Sequence, residues 1–165
     1  DSSVEAPPHK VRHRGVHNSV SRSSAFENMA DLFAVSETIA AKEQAVGFGS
    51  LTPAEQTFHA VWWFEAELNN GGFDQFFFNS AGDLTSNTIE ALELIGASAC
   101  AAIVRRACAI FPSSVPSQDR DTRQGELETI TDANEDAFEK LDAEFYAYPE
   151  DIAGLLTAYW DSNGG

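Results

Sequence analysis

The sequence predicts an all-α protein: a compact single-domain bundle of about six to eight helices behind a disordered basic N-terminal leader. Three observations predict it. From Ala25 onward the apolar residues recur at i, i+3, i+4 spacing. Proline and glycine punctuate the chain at helix-length intervals, and no stretch alternates apolar with polar residues as a strand would. There is no internal repeat, and 165 residues with 43% hydrophobic content are enough for one buried core.

Residues 1–24 combine Pro7, Pro8, serines and basic side chains with few apolar residues and no period, the composition of a disordered leader. His9, His13 and His17 fall at i, i+4, i+8, which would form a metal-binding stripe on a helix. Pro7, Pro8 and Gly15 argue against that helix, so no metal site is assigned. Residues 25–165 are expected to form the folded domain.

The first helix passes through Phe26, Met29, Leu32, Phe33, Ser36 and Ile39 and should fade before Gly47-Phe48-Gly49. The next start is clear: Thr52 as N-cap, Pro53 at the first helical position, and Glu55 closing a capping box. That helix should run to about Asn69 and stop at Gly71-Gly72, with a short helix over roughly 73–79 ended by Ala81-Gly82. Asn87 with Glu90 suggests a second capping box, for a helix through Ile89, Leu92, Leu94 and Ile95 that stops at Gly96. Ser98 to Phe111 reads as a compact Ala-rich helix, and Pro112 and Pro116 bracket a surface loop. Helices over about 119–130, 133–146 and Pro149 to Tyr159 complete the bundle, the last with acid in its first turn as the helix dipole prefers.

Charge is strong and uneven. The net charge is −16. Residues 1–24 carry Lys10, Arg12, Arg14 and Arg22 against Asp1 and Glu5, a surplus of two positive charges, so residues 25–165 hold −18. Such a surface repels nucleic acid and anionic membrane and attracts basic partners; bland solubility is the competing reading. No apolar run is long enough to span a bilayer, and no secretory h-region is present, so a cytoplasmic location is expected. Cys100 and Cys108 lie eight apart on one helix, a rise of about 12 Å against the roughly 7 Å limit of a disulfide. They are expected to be buried free thiols.

The chemistry-bearing motifs are mostly missing. No Walker loop, GxGxxG, HExxH, CxxC or GxSxG occurs, and outside the leader His59 is the single histidine. No cofactor and no catalytic residue is therefore assigned, and the chain is expected not to be an enzyme. The best carboxylates for an enzymatic alternative are Glu65 and Glu67. Glu65 falls in the middle of the apolar face set by Phe58, Val61, Trp62 and Leu68, while Glu67 points to the opposite side. Glu65 is expected to clamp the glycine corner, bonded to backbone N–H groups around Gly71-Gly72-Phe73, to Asn70 or Gln75, or to Arg105 or Arg106. Asp74, Gln75 and Asn79 should supply capping and corner hydrogen bonds. The run Phe76-Phe77-Phe78 is too dense for one helix face, so one ring should reach a second surface, core or interface, including a homodimer seam.

Between Glu126 and Asp151 ten acids face Lys140 alone. Asp132, Glu135, Asp136 and Glu139 would form one acidic stripe on a helix, with turns about 5.4 Å apart, near the spacing of phosphates along DNA. Such a stripe is either a solvated face or a binding surface. The acids assigned to partner binding are Glu126, Glu128, Asp132, Glu135, Asp136, Glu139, Asp142 and Glu144.

The segment from Glu65 to Ser80, EAELNNGGFDQFFFNS, resembles the signature of the DNA mimic protein 19 family of acidic, all-helical bacterial proteins. The residues carrying it are Glu65, Glu67, Asn70, Gly71, Gly72, Phe73, Gln75 and Asn79. Ile89-Glu90-Ala91-Leu92 with Ile95-Gly96-Ala97, Ala101 to Phe111, Arg120 with Arg123, Leu141-Asp142 with Phe145-Tyr146, and Tyr159 extend it over about residues 26–163. The resemblance implies a helical fold, and a characterised member that is an acidic dimer presenting DNA-like charge to a helix-turn-helix repressor. The expected function is thus a non-enzymatic acidic protein that binds a basic DNA-binding protein, such as a transcriptional regulator, or another nucleic-acid-binding protein. Direct nucleic-acid binding and membrane binding are not expected. The alternative is an antitoxin or immunity-type protein that binds a basic toxin or nuclease.

Overall fold

The computed structural model describes residues 21–164, and it is all-α: among these residues there are seven α-helices, two short 3-10 turns and no strand. The leader and His9, His13 and His17 lie outside the described residues, except that Ser21 to Ser24 form the start of the first helix. That helix, α1 (Ser21–Val46), buries Leu32, Ser36 and Ile39 but leaves Met29 and Phe33 exposed. Its apolar face is narrower than the periodicity suggests. Gly47, at φ 82, ends it and donates its N–H to the Glu43 carbonyl.

α2 (Pro53–Phe78) opens as expected. The Glu55 N–H donates to Thr52 Oγ1, and the Glu55 carboxylate accepts the Thr52 N–H at 2.8 Å. Lys42 of α1 ties to the same carboxylate at 2.7 Å, so the box also fixes the α1–α2 hairpin. The double glycine interrupts α2 as expected: the backbone is non-helical at Gly71 and Gly72, which kinks the element, and a second helical run begins at Phe73 and ends at Phe78.

α2 is the centre of the bundle, in contact with α1, α3 (Thr85–Ile95), α5 (Arg120–Ala133), α6 (Glu139–Tyr146) and α7 (Ile152–Asn163). α4 (Ser98–Cys108) packs on α3 and α6. Phe58, Phe64, Phe73, Phe76, Phe77, Phe111, Phe138 and Phe145 are fully buried and interlock mostly edge-on or tilted. Each contributes roughly 1.5–3 kcal/mol relative to exposure. In the 76–78 run only Phe78 faces outward, 54% exposed.

Three sequence expectations are corrected. The second capping box does not form: α3 begins at Thr85, two residues before Asn87, because the 3-10 turn Ser80–Leu84 runs straight into it. Thr85 Oγ1 donates to the Gly82 carbonyl there at 2.7 Å. α4 stops at Cys108 instead of Phe111, tightening through successive turns, Ile110 N–H to Ala107 and Phe111 N–H to Cys108. The helix expected over 133–146 is broken: α5 extends to Ala133, and turns carry the chain from Asn134 to the start of α6 at Glu139. The buried Phe138 ring explains the break, because it turns the chain into the phenylalanine core. Asp132, Glu135, Asp136 and Glu139 therefore do not form one helical stripe.

Gly96, at φ 91, reverses the chain between α3 and α4. The first turn of α4 is capped from a distance: the Glu150 carboxylate accepts the N–H groups of Ala99 at 2.8 Å and Cys100 at 3.0 Å. Burial opposes ionisation of Glu150, but these backbone bonds outweigh it and hold its pKa below the usual range. Asp151 caps α7 through the Gly154 N–H. Cys100 and Cys108 are buried free thiols, pushed by burial to about 12 and about 11. They are inert at neutral pH.

Candidate functional site beside the glycine corner

The corner is built around Gly72, whose φ of 70 and ψ of −163 fall where side chains are essentially excluded. The kink frees the Phe73 N–H from the helix, and Asp142 Oδ1 of α6 accepts it at 2.8 Å. A Cβ on Gly72 would lie 2.6 Å from Asp142 Oδ2, so glycine is required both by conformation and by close approach. Carbonyl and amide groups ahead of the kink are taken by tyrosines: Tyr146 donates to the Leu68 carbonyl at 2.7 Å and Tyr148 to Asn69 Oδ1 at 2.8 Å.

The carboxylate that clamps the corner is Glu67, not Glu65. Glu67 Oε2 accepts from Gln75 Nε2 at 2.6 Å and from Asn79 Nδ2 at 2.9 Å, bridging the kink from one side to the other. Glu65 is half-buried, and burial with Asp151 nearby raises its pKa. Its expected partners are occupied elsewhere: Phe73 N–H by Asp142, Gln75 by Glu67, Arg105 by Glu93 and Arg106 by Glu144. Asn70 lies exposed on the outside of the corner.

Arg123 of α5 is the largest fully buried side chain and holds the far end of the signature. Its guanidinium donates to the carbonyls of Phe77 (2.7 Å), Asn79 (3.1 Å), Ser117 (2.7 Å) and Gln118 (3.4 Å) and to Asp83 Oδ1 (2.5 Å). Gly82 makes room for it, since a Cβ there would sit 2.8 Å from Arg123 Nε and from the Phe76 carbonyl. Burial works against an ionised Asp83, but hydrogen bonds from Arg120 and Arg123 outweigh it and hold its carboxyl below the usual range. The residue types alone gave no sign of this hub; five fixed donors suit a cluster of carbonyls left open by a turn.

Between α5 and the kinked end of α2 runs an open groove of about 820 Å³. Phe78 and Leu127 give it an apolar floor, and Asp74, Asp121 and Glu128 stand along it. Asp74 also belongs to an adjoining hollow of about 330 Å³, where Glu135, Asp136, Glu139 and Asp142 gather around Tyr146. Among the described residues, no lysine or arginine lines either depression. Asp74 Oδ1 is buried without a hydrogen-bond partner among the described residues, and burial raises its pKa. The pKa of Asp142 is also raised, by burial and by Asp74, against the Phe73 hydrogen bond.

The eight acids assigned to partner binding thus divide. Glu128, Asp132, Glu135, Asp136 and Glu139 are exposed and make no ion pair among the described residues. The other three have internal work: Glu126 accepts the Ser117 N–H, Asp142 holds Phe73, and Glu144 pairs with Arg106. The groove adds Asp74 and Asp121, which sequence reasoning did not assign to binding. Asp74 carried a signal in its place among four phenylalanines, whereas Asp121 carried none. No group of side chains suited to holding a metal ion occurs among the described residues.

No helix among the described residues is long and apolar enough to cross a membrane. Searches of curated proteins and of solved structures returned no match. A family model described as DMP19-like protein matches residues 49–163, which include the kinked α2, the Arg123 hub and both acidic depressions. The chain belongs to the DMP19-like protein family.

Proposed function

We propose that this protein is a non-enzymatic acidic binding protein that receives a basic segment of a DNA-binding protein, such as a transcriptional regulator, in the groove between α2 and α5. The observation that carries the reading is the groove itself, an apolar floor bordered by carboxylates that have no cationic partner among the described residues. A helix that reads DNA has apolar residues toward its own core and arginine or lysine toward phosphate. Asp74, Asp121, Glu128 and the Glu135–Glu139 cluster would take the place of phosphate toward those basic side chains, and the exposed Phe78 would meet an apolar side chain outside the partner's core. Family membership and the resemblance to acidic DNA mimics support the same partner class.

Charge would act mainly on association rate and partner choice, and the apolar floor on residence time. Glu65 and Glu67 project to different surroundings and have no cleft between them, which favours binding over carboxylate catalysis. The test is capture from host lysate at low salt, followed by elution with salt or with duplex DNA. Release of a DNA-binding protein by duplex DNA is expected from wild type, and its loss from the Glu135→Gln/Asp136→Asn/Glu139→Gln variant. Recovery of a basic nuclease or toxin instead would favour the immunity-type alternative.

A further inference from the structure

A separate cavity of about 420 Å³ lies between α1, α2 and the 3-10 turn Ser80–Leu84, sharing no lining residue with the acidic groove. Its wall carries three aromatic rings in sequence: Phe48, His59 and Trp63, with centroid separations of 5.8 Å and 6.3 Å. Burial lowers the His59 pKa against the pull of Glu43, so at neutral pH the imidazole is an uncharged ring. Opposite charge comes from Glu43 and Glu67. Glu43 makes no ion pair among the described residues, and Glu67 spends only Oε2 on Gln75 and Asn79. At the end of the cavity Asp83 is shared between Arg120, which lines the cavity, and the buried Arg123, so that end carries one positive charge beyond Asp83. The aromatic end of the enclosure therefore combines π-faces with two carboxylates that make no ion pair among the described residues, Arg120 standing at the far end, a pairing that favours an organic cation over a neutral or anionic guest.

We propose that this cavity binds an alkylguanidinium or alkylammonium group, whether on a free amine or on an arginine or lysine side chain. The aromatic faces hold the planar or alkyl part, and Glu43 with Glu67 Oε1 receives the charged end. Glu43 is the residue to alter, because the backbone carbonyl alone, through the Gly47 N–H, serves the end of α1. Glu67 is unsuitable, since its removal also opens the corner.

The full chain would be titrated with butylguanidinium, with butylammonium and with uncharged butylurea, followed by calorimetry and by amide NMR. Saturable binding of the two cations is expected, with shifts at His59 and the Trp63 indole, and none with butylurea. Glu43→Gln should weaken the cations about threefold to fivefold, and Trp63→Leu by a similar factor. The Glu135→Gln/Asp136→Asn/Glu139→Gln variant should bind them as wild type does, which separates this cavity from the acidic groove. Agmatine against an acetylated Ala-Arg-Ala amide distinguishes a free amine from a protein side chain as the source. Equal affinity for butylurea, shifts confined to the α2–α5 groove, no cation binding, or an unaffected Glu43→Gln would each overturn the proposal.

Discussion

Asp142 Oδ1 accepts the backbone N–H of Phe73 at 2.8 Å, joining α6 to the kink of α2 across 69 residues of chain. An acid that reads in the sequence as part of a binding surface thus completes the glycine corner. The same carboxylate lies in the hollow with Glu135, Asp136 and Glu139, so the corner and the acidic face are one construction. Asp142→Ala should cost about 1.5–3 kcal/mol, the range for losing a hydrogen bond to a charged group. Asp142→Asn, which keeps an acceptor, should cost less. Denaturant melts of both variants check the order.

Gly72→Ala meets two penalties, the excluded backbone region and the Asp142 carboxylate 2.6 Å from the new Cβ. A loss of about 2–4 kcal/mol is expected. Combining it with Asp142→Ala should relieve part of that loss. Strict additivity in a double-mutant cycle would contradict the contact.

The two glutamates of α2 should separate cleanly. Glu67→Leu leaves the amides of Gln75 and Asn79 without their acceptor and should destabilise by about 1.5–3 kcal/mol. Glu65→Gln removes a charge that burial disfavours, and should leave stability within about 0.5 kcal/mol or raise it. The reverse order would restore Glu65 as the clamp.

Stability should also depend on Asp74 through pH. Its native pKa is raised by burial, so the folded chain binds more protons than the unfolded chain between the ordinary carboxyl value and the native one. The corresponding stability is present below the unfolded value and is lost as pH rises through the native pKa. Asp74→Asn should therefore raise the denaturant midpoint at neutral pH, with the gain vanishing near the ordinary Asp pKa of about 3.9. The Asp83 and Glu150 carboxyls, held low, act in the opposite sense and lose their contribution as pH falls.

Much of the fold is legible in the residues, because local physics decides it. Thr52, Pro53 and Glu55 form their box, Gly96 reverses the chain, and Cys100 and Cys108 stay apart and buried. The errors lie where a distant partner overrides the local pattern. Glu65 was the better clamp on a helical wheel, but the kink turns Gln75 and Asn79 toward Glu67. The acidic stripe from Asp132 to Glu139 fitted one helix until Phe138 found the core and broke it. Arg123 stood out only through the family resemblance, which gave it no role, since the carbonyls that bury it come from the end of α2 and from the loop before α5. Acid abundance singled out the stretch after Glu126, while the groove needed α2 and α5 side by side.

The central claim, that unpaired carboxylates around the α2–α5 groove bind a basic partner, is tested most directly by the salt dependence of the captured partner's affinity. Between about 50 mM and about 500 mM salt the wild-type affinity should fall steeply, with a shallower slope for Glu135→Gln/Asp136→Asn/Glu139→Gln. An affinity unchanged by salt, and equal in wild type and variant, would contradict it.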